Sequence, residues 1–376
     1  MFGKGVKLFT LFGFQIRMDW SWLIIAILLT WSLAGGVFPH YFRGLSPGAY
    51  WWMGVAGTLG LFISVVLHEL GHSLVARRFG VPMRSITLFI FGGVAQMGKE
   101  PPSPKAEFFT AVGGPIVTVL LVGLFFALTV LSGATQWPAT VAGVLAYLAW
   151  INLVVLVFNM IPAFPLDGGR VLRSALWAWK KNLRWATRIA SNLGAFFGLL
   201  LIVWGIFTFV SGNFVGGMWY FLIGLFIRSA SHSSYQQVLL EEMLAGEPIR
   251  HFMTPNPVTV PPQASVQTIV ENYLYHYPYR FYPVVDHEHL LGCISVDQVK
   301  TIPREKWDER TAESVAAPCS RDNIIDAEAD AAKAFSAMAR NGTRRLMVVD
   351  HGQLVGVVAL KDLLTFFSRK MELERA

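Results

Sequence analysis

The chain has 376 residues, of which 54% are hydrophobic and only 15% charged; soluble globular domains carry roughly a quarter charged residues, so this is not one soluble domain. Its formal charge of +7 joins two opposite parts: residues 1 to 230 hold five acids against sixteen Lys and Arg, and residues 231 to 376 hold nineteen acids against fifteen. The excess bases of the first part are interspersed with long apolar runs and build no single polar face, which excludes a nucleic-acid binder.

Apolar runs near the ~20 residues that span a bilayer fall at Trp20 to Phe38, Trp51 to Val75, Phe108 to Leu131, Val141 to Ile161, Ile189 to Val210 and Phe214 to Ile227. The first lies behind a nineteen-residue lead and has Trp20 and Trp22 at its entrance, the pattern of a retained helix rather than a cleaved signal peptide. Lys4, Lys7 and Arg17 precede span one; Arg77, Arg78, Arg84, Lys99 and Lys105 separate spans two and three; Arg170 to Arg188 supply six more bases, and Arg228 follows span six. Only Arg43 falls on the other side, so the positive-inside rule predicts a multi-pass protein of the plasma membrane with both termini cytoplasmic. Cys293 and Cys319 then lie in reducing cytosol, where no disulfide is expected.

Ionisable groups inside spans are costly and mark functional sites. Asp19, Glu100 and Glu107 are read as lying at the membrane entrance or in the cytoplasmic stretch around span three, which leaves Glu69 and Asp167 in the apolar interior. Span two carries His68-Glu69-Leu70-Gly71-His72. Residues four apart share a helix face, so both imidazoles can meet one metal ion with Glu69 beside the open position; a hydrogen-bonded structural cluster is the alternative. A catalytic zinc generally takes three protein ligands, and Asp167 is the remaining acid able to serve, in Asn159-Met-Ile-Pro-Ala-Phe-Pro-Leu-Asp-Gly-Gly-Arg170 at the end of span four. Pro162 and Pro165 end the helix there, and Gly168 and Gly169 let the backbone turn. The competing expectation makes Asp167 the N-cap of a helix starting at Arg170.

These motifs resemble the site-2 proteases, intramembrane zinc metalloproteases, over residues 1 to about 230. The resemblance implies that His68, His72 and Asp167 bind one zinc ion and that Glu69 is the catalytic base. It also implies that Asn159 and Pro165 shape the substrate cleft, with Asn159 a contact to the substrate backbone or the developing oxyanion. Gly113-Gly114-Pro115 is similar to the family's small-residue stretch, where helices approach closely. Ser85 to Met97 is β-branched and aromatic around a Gly92-Gly93 turn. It is expected to form a hairpin that dips into the membrane and, through Ile86, Leu88, Gly92 and Gly93, offers an edge strand to an unwound substrate; an ordinary loop hairpin is the alternative. Arg170 to Arg188, with Trp177, Trp179 and Trp185, reads as an amphipathic interfacial segment.

The tail holds a repeat offset by 64 residues: Arg280-Phe-Tyr-Pro-Val-Val-Asp-His287 with Leu290-Leu-Gly292, and Arg344-Arg-Leu-Met-Val-Val-Asp-His351 with Leu354-Val-Gly356. It resembles a tandem pair of CBS domains. That resemblance implies a regulatory or dimerising α/β module that can bind an adenine nucleotide, although each copy keeps one of two expected contacts: Ser295 without an Asp at Gln298, and Asp362 without a Ser or Thr at Ala359. Asp286 and Asp350 are expected as turn formers, and the tyrosines Tyr273, Tyr275, Tyr277, Tyr279 and Tyr282 as packing or as a stacking surface.

The expected fold is a polytopic α-helical membrane domain of about six transmembrane helices with a short membrane-associated β-hairpin (1 to 230), a linker (231 to 246), CBS repeats at 247 to 308 and 309 to 370, and a short tail to 376. The leading function is a zinc endopeptidase that cuts a transmembrane segment of a membrane-protein substrate. A divalent-cation transporter or channel using the same polar residues is the alternative.

Overall fold

A computed structural model describes residues 6–90, 92–97, 100–287, 289–320 and 322–375, so that Lys4 and Lys99 lie outside the described residues. The chain divides into two compact units, Met1–Val238 and Leu239–Ala376.

The first unit opens with two strands where the sequence had suggested only a lead, β1 (Val6–Leu11) and β2 (Phe14–Met18). Phe12 and Gly13 between them both have positive φ, the backbone of a tight two-residue hairpin turn. Phe14 and Ile16 point inward and bury against Leu70 and Ile86, while the Arg77 guanidinium donates to the Phe12 carbonyl at 2.9 Å and lies 4.9 Å from the Phe14 ring centre.

Six helical segments among the described residues are long and apolar enough to cross a membrane. The first joins α1 (Ser21–Ser32) to α2 (Phe38–Tyr41) through a π-helical turn. Next comes α3 (Pro47–Arg78), started by Pro47 and by Ser46, whose hydroxyl accepts from the Ala49 N–H. It is followed by β3 (Met83–Phe89), β4 (Gly92–Met97) and α4 (Pro104–Ala134), capped in the same way by Ser103. Then come α5 (Ala139–Asn159), the shorter α6 (Asp167–Lys180), α7 (Leu183–Val210) capped by Asn182, and α8 (Phe214–Leu244). Ile27, Leu120, Phe126, Val157 and Val210 are exposed on these helices, as a hydrocarbon solvent permits and water does not. Two expectations change at α8: the sixth span continues past Ile227, and residues 231 to 244, anticipated as linker, are helix.

The sheet of the first unit runs β1-β2-β3-β4. β2 pairs parallel to β3 with Ile16 opposite Ile86, and β3 pairs antiparallel to β4 with Leu88 opposite Gly93. Ile86 and Leu88 are therefore not on an edge as expected; they are buried on an interior strand whose backbone is paired on both sides. The hairpin reading missed this because β2, the strand that covers β3, lay in the unassigned lead. The free edge on that side is β4.

The second unit contains β5 (Thr254–Pro255), α9 (Val266–Ile269), β6 (Phe281–Asp286), β7 (His289–Ser295), α10 (Val296–Val299), α11 (Ala312–Val315), β8 (Ala317–Pro318), β9 (Ile324–Asp326), α12 (Ala331–Asn341), β10 (Arg345–Asp350), β11 (Gln353–Ala359) and α13 (Leu360–Arg375). The sheet order is β6-β7-β11-β10-β9, with β5 on β11 and β8 on β7. Each repeat thus lends its short lead strand to the other, and Ile249 and Phe252 of the first pack on Leu346, Val348 and Val358 of the second. Neither copy can complete its core alone. Asp286 and Asp350 sit at the two hairpin turns, followed by His287 and His351 at positive φ. Tyr282 is fully buried and its hydroxyl donates to the Tyr273 carbonyl at 2.9 Å, whereas Tyr275, Tyr277 and Tyr279 are exposed.

Candidate metal centre

His68 and His72 project from one face of α3, in a turn locked against α4. A Cβ placed on Gly71 would meet the Gly113 carbonyl oxygen at 2.5 Å, and one on Gly113 would meet that of Gly71 at 2.8 Å. Only glycine at both positions lets the two backbones come this close. Asp167 arrives from the other side as the first residue of α6. Its loop is equally tight: a Cβ on Gly168 would lie 2.2 Å from the Met160 carbonyl oxygen, and one on Gly194 would lie 1.8 Å from that of Phe164. The Ser231 hydroxyl donates to that same Phe164 carbonyl at 2.5 Å.

The three side chains meet. His68 Nε2 lies 3.1 Å from Asp167 Oδ2, His72 Nε2 lies 3.2 Å from Asp167 Oδ1, and the two Nε2 atoms are 3.1 Å apart. All three residues are buried. The N-cap alternative for Asp167 fails, because the helix begins at Asp167 itself and its carboxylate faces the imidazoles.

Second contacts decide the tautomers. His72 Nδ1 lies 2.7 Å from the Thr110 carbonyl, which can only accept, so that nitrogen carries the proton. The Gly114 N–H, 3.3 Å from the same Nδ1, is then not bonded to it. His68 Nδ1 donates to the Thr118 hydroxyl at 2.8 Å, which donates onward to the Gly114 carbonyl at 3.4 Å. Both Nε2 atoms therefore turn lone pairs toward each other and toward a carboxylate, three acceptors without a donor, which a cation satisfies. The spacing fits zinc: a tetrahedron with bonds of about 2.0–2.1 Å has edges of about 3.3 Å. Gly114 leaves the room, since a Cβ there would lie 2.3 Å from His72 Nε2 and 2.7 Å from His68 Nε2. Among the described residues this is the one group of three such ligands found.

Glu69 is half-buried beside the cluster, and its side chain runs along β4: a Cβ on Gly93 would lie 2.7 Å from Glu69 Cγ. Gly92 opens that strand with φ of 128°, a conformation suited to glycine. Asn159 is the last residue of α5, half-buried, and Pro165 lies in the loop between it and Asp167, after a cis peptide bond. Ser295 and Asp362 belong to the other unit, where each serves a helix start. Ser295 forms a reciprocal capping box with Gln298, and the Asp362 carboxylate accepts from the Ala359 N–H at 2.9 Å.

Sequence reasoning missed the groups behind the ligands, Thr110 and Thr118. It also did not foresee that Glu107 is fully buried on α4 and paired with the buried Arg173 of α6, so Arg173 is not among the lipid-facing bases of an interfacial segment. A further buried bridge joins α5 to α3, where Asn152 Nδ2 donates to the Ser64 hydroxyl at 3.2 Å, one turn before His68.

An apolar helical bundle around a buried His-His-carboxylate cluster defines a membrane-embedded metallohydrolase. The profile of Peptidase family M50 matches residues 56–138 and 129–203, and that of the CBS domain matches residues 249–303 and 316–369. Rip3 of Mycobacterium tuberculosis is 33% identical across 93% of this chain and 90% of its own length. Zinc metalloprotease MJ0392 of Methanocaldococcus jannaschii is 32% identical across 82% and 84%. The solved site-2 protease of Methanocaldococcus jannaschii is 29% identical, with a TM-score of 0.43, covering 61% of this chain and 94% of that one. The chain belongs to peptidase family M50 and is a site-2 type intramembrane zinc metalloprotease with a C-terminal tandem CBS pair.

Proposed function

We propose that His68, His72 and Asp167 hold the zinc of this protease and that Glu69 is its catalytic base, acting on a peptide bond within a transmembrane segment of another protein. The observation that carries this reading is the convergence of three acceptor atoms, both imidazoles held with their protons on the far side. Bound there, zinc supplies Lewis acidity toward the scissile carbonyl and acidifies water. Glu69 takes the proton released and delivers it to the leaving amine. Gly93 fixes where that carboxylate can lie, because β4 passes its Cγ at contact distance. Asn159, at the end of α5, is assigned the amide donor to the substrate backbone or the developing oxyanion, and Pro165 shapes the loop beside it.

A helical substrate hides its carbonyls in its own hydrogen bonds and has to be extended before attack. The strand that receives it is β4, the terminal strand of the sheet, through Gly92 and Gly93; Ile86 and Leu88 support it from one strand further in. The distribution of basic residues supports a plasma-membrane protein with both termini and the CBS pair on the cytoplasmic side.

The CBS pair is assigned a regulatory or homodimerising role, with adenine nucleotide contacting Ser295 and Asp362. Both side chains already cap helices, so nucleotide would have to add to those bonds. Calorimetric titration with ATP and AMP tests this assignment, and heat identical to that of a Ser295→Ala/Asp362→Ala variant would dismiss it.

The test of the main reading is Glu69→Gln, co-expressed with a candidate membrane substrate. It should retain one zinc per chain and leave the substrate uncut; continued cleavage would reject Glu69 as the base.

A further inference from the structure

The cluster rests on three elements: α3 carries both histidines, α4 the groups that back them, and α6 Asp167. One side chain ties the last two together. Arg173, 2% exposed on α6, donates through Nε to Glu107 Oε1 at 2.6 Å and through a terminal NH2 to Glu100 Oε2 at 3.0 Å. Its guanidinium carbon lies 5.1 Å from the centre of the Phe164 ring. Glu107 is 0% exposed and stands three residues before Thr110, the acceptor for His72. Phe164 stands three residues before Asp167 and is itself held by the Ser231 hydroxyl. The guanidinium therefore spans from the turn of α4 that orients one histidine to the loop that delivers the carboxylate.

Buried ion pairs are poor sources of net stability, since well-packed apolar residues of similar volume often do as well or better. Their value lies in fixing one arrangement, and the planar fork of Arg can bond two carboxylates while stacking on a ring, which Lys cannot. The first 230 residues contain only five acids, and two of them, Glu100 and Glu107, are committed to this contact.

We propose that Arg173 is a positioning residue, which through Glu107 and Phe164 sets the separation of Asp167 from His68 and His72 and so the affinity for zinc. This rests on the assignment of those three residues as ligands.

The experiment uses the full-length protein in detergent and the double variant Arg173→Met/Glu107→Met, which removes the two fully buried charges together and leaves only Glu100, whose side chain is 29% exposed and can be hydrated, without its Arg173 contact. Zinc affinity is read by competition with a chelator, ligand geometry by the visible spectrum of the cobalt(II)-substituted protein, and folding by size exclusion and thermal unfolding. The double variant should remain monodisperse and unfold within a few degrees of the parent. It should bind zinc about 10–100-fold more weakly, the range typical of lost outer-shell support, with shifted cobalt bands; Arg173→Lys should fall between. Zinc affinity within threefold of the parent and an unchanged cobalt spectrum would overturn the proposal. A double variant that fails to fold would also overturn it, by showing the pair to be a support for the fold. A parent that binds no zinc would instead refute the ligand assignment, and this proposal with it.

Discussion

Gly114→Ala adds one methyl group where the ligand atoms face each other. A Cβ at that position would lie 2.3 Å from His72 Nε2 and 2.7 Å from His68 Nε2, while unbonded heavy atoms settle at about 3.5 Å, so roughly 1 Å has to be found. If α4 withdraws by that much, the contacts of Thr110 and Thr118 with the two Nδ1 atoms, now 2.7 and 2.8 Å, stretch past the useful range of a hydrogen bond. Two such bonds at about 0.5–1.5 kcal/mol each amount to roughly 1–3 kcal/mol, which is about 5- to 150-fold in zinc affinity. If the imidazoles turn instead, they leave Asp167 and lose the ligand geometry directly. The assay is zinc per chain by atomic emission together with chelator competition, with Gly123→Ala as control, since a Cβ there meets nothing within 4 Å. Gly114→Ala should lose most of its zinc and Gly123→Ala none. Full zinc occupancy at parental affinity in Gly114→Ala would refute the placement of the metal between the two Nε2 atoms.

Thr118→Val keeps the shape but removes the acceptor for His68 Nδ1; zinc affinity should fall about 10–100-fold, and an unchanged value in a chelator titration would show that the hydroxyl does not orient the ring. Gly93→Ala puts a methyl 2.7 Å from Glu69 Cγ; zinc should stay bound while turnover drops on the order of 100-fold, the penalty of misplacing a reacting group by about 1 Å, and wild-type turnover in a membrane cleavage assay would contradict this. Burial pushes the Cys293 thiol up to about 11 and also raises that of the more accessible Cys319. Because the thiolate is the reactive form, maleimide at pH 8 should label Cys319 first in the native protein and Cys293 only on unfolding or as the pH nears 11; equal native rates, read by mass spectrometry, would count against the packing around β7.

What could be read in advance follows from how far each signal extends along the chain. Six spans were visible because a bilayer demands long uniform runs, and His68, Glu69 and His72 because a helix turns a four-residue spacing into a shared face. Asp167 stood out because acids are scarce in the first 230 residues. Thr110 and Thr118 carry no such mark: they become outer support only because Gly71 and Gly113 bring α3 and α4 into backbone contact. The burial of Glu107 could not be read in advance, because it lies near Lys105 at the start of a helix and its partner Arg173 comes from 66 residues further on. The first two strands are only six and five residues long; Phe14-Gln-Ile-Arg-Met18 does alternate apolar and polar residues, but so short a run ahead of a long apolar span passed as part of the lead, and without it β3 looked like an edge. In the tail, the repeat announced two hairpins, but the exchanged strands β5 and β8 are two residues each, too short to leave any periodicity.

The claim on which the rest depends is that His68, His72 and Asp167 hold zinc inside the helical bundle. X-ray absorption at the zinc edge of the purified full-length protein tests it most directly. One zinc per chain with two imidazole nitrogens and oxygen neighbours at about 2.0–2.2 Å, and no sulfur, is the predicted result. A shell containing sulfur at about 2.3 Å, which only the cysteines or methionines could provide, or a nitrogen signal that survives His68→Ala/His72→Ala, would contradict it.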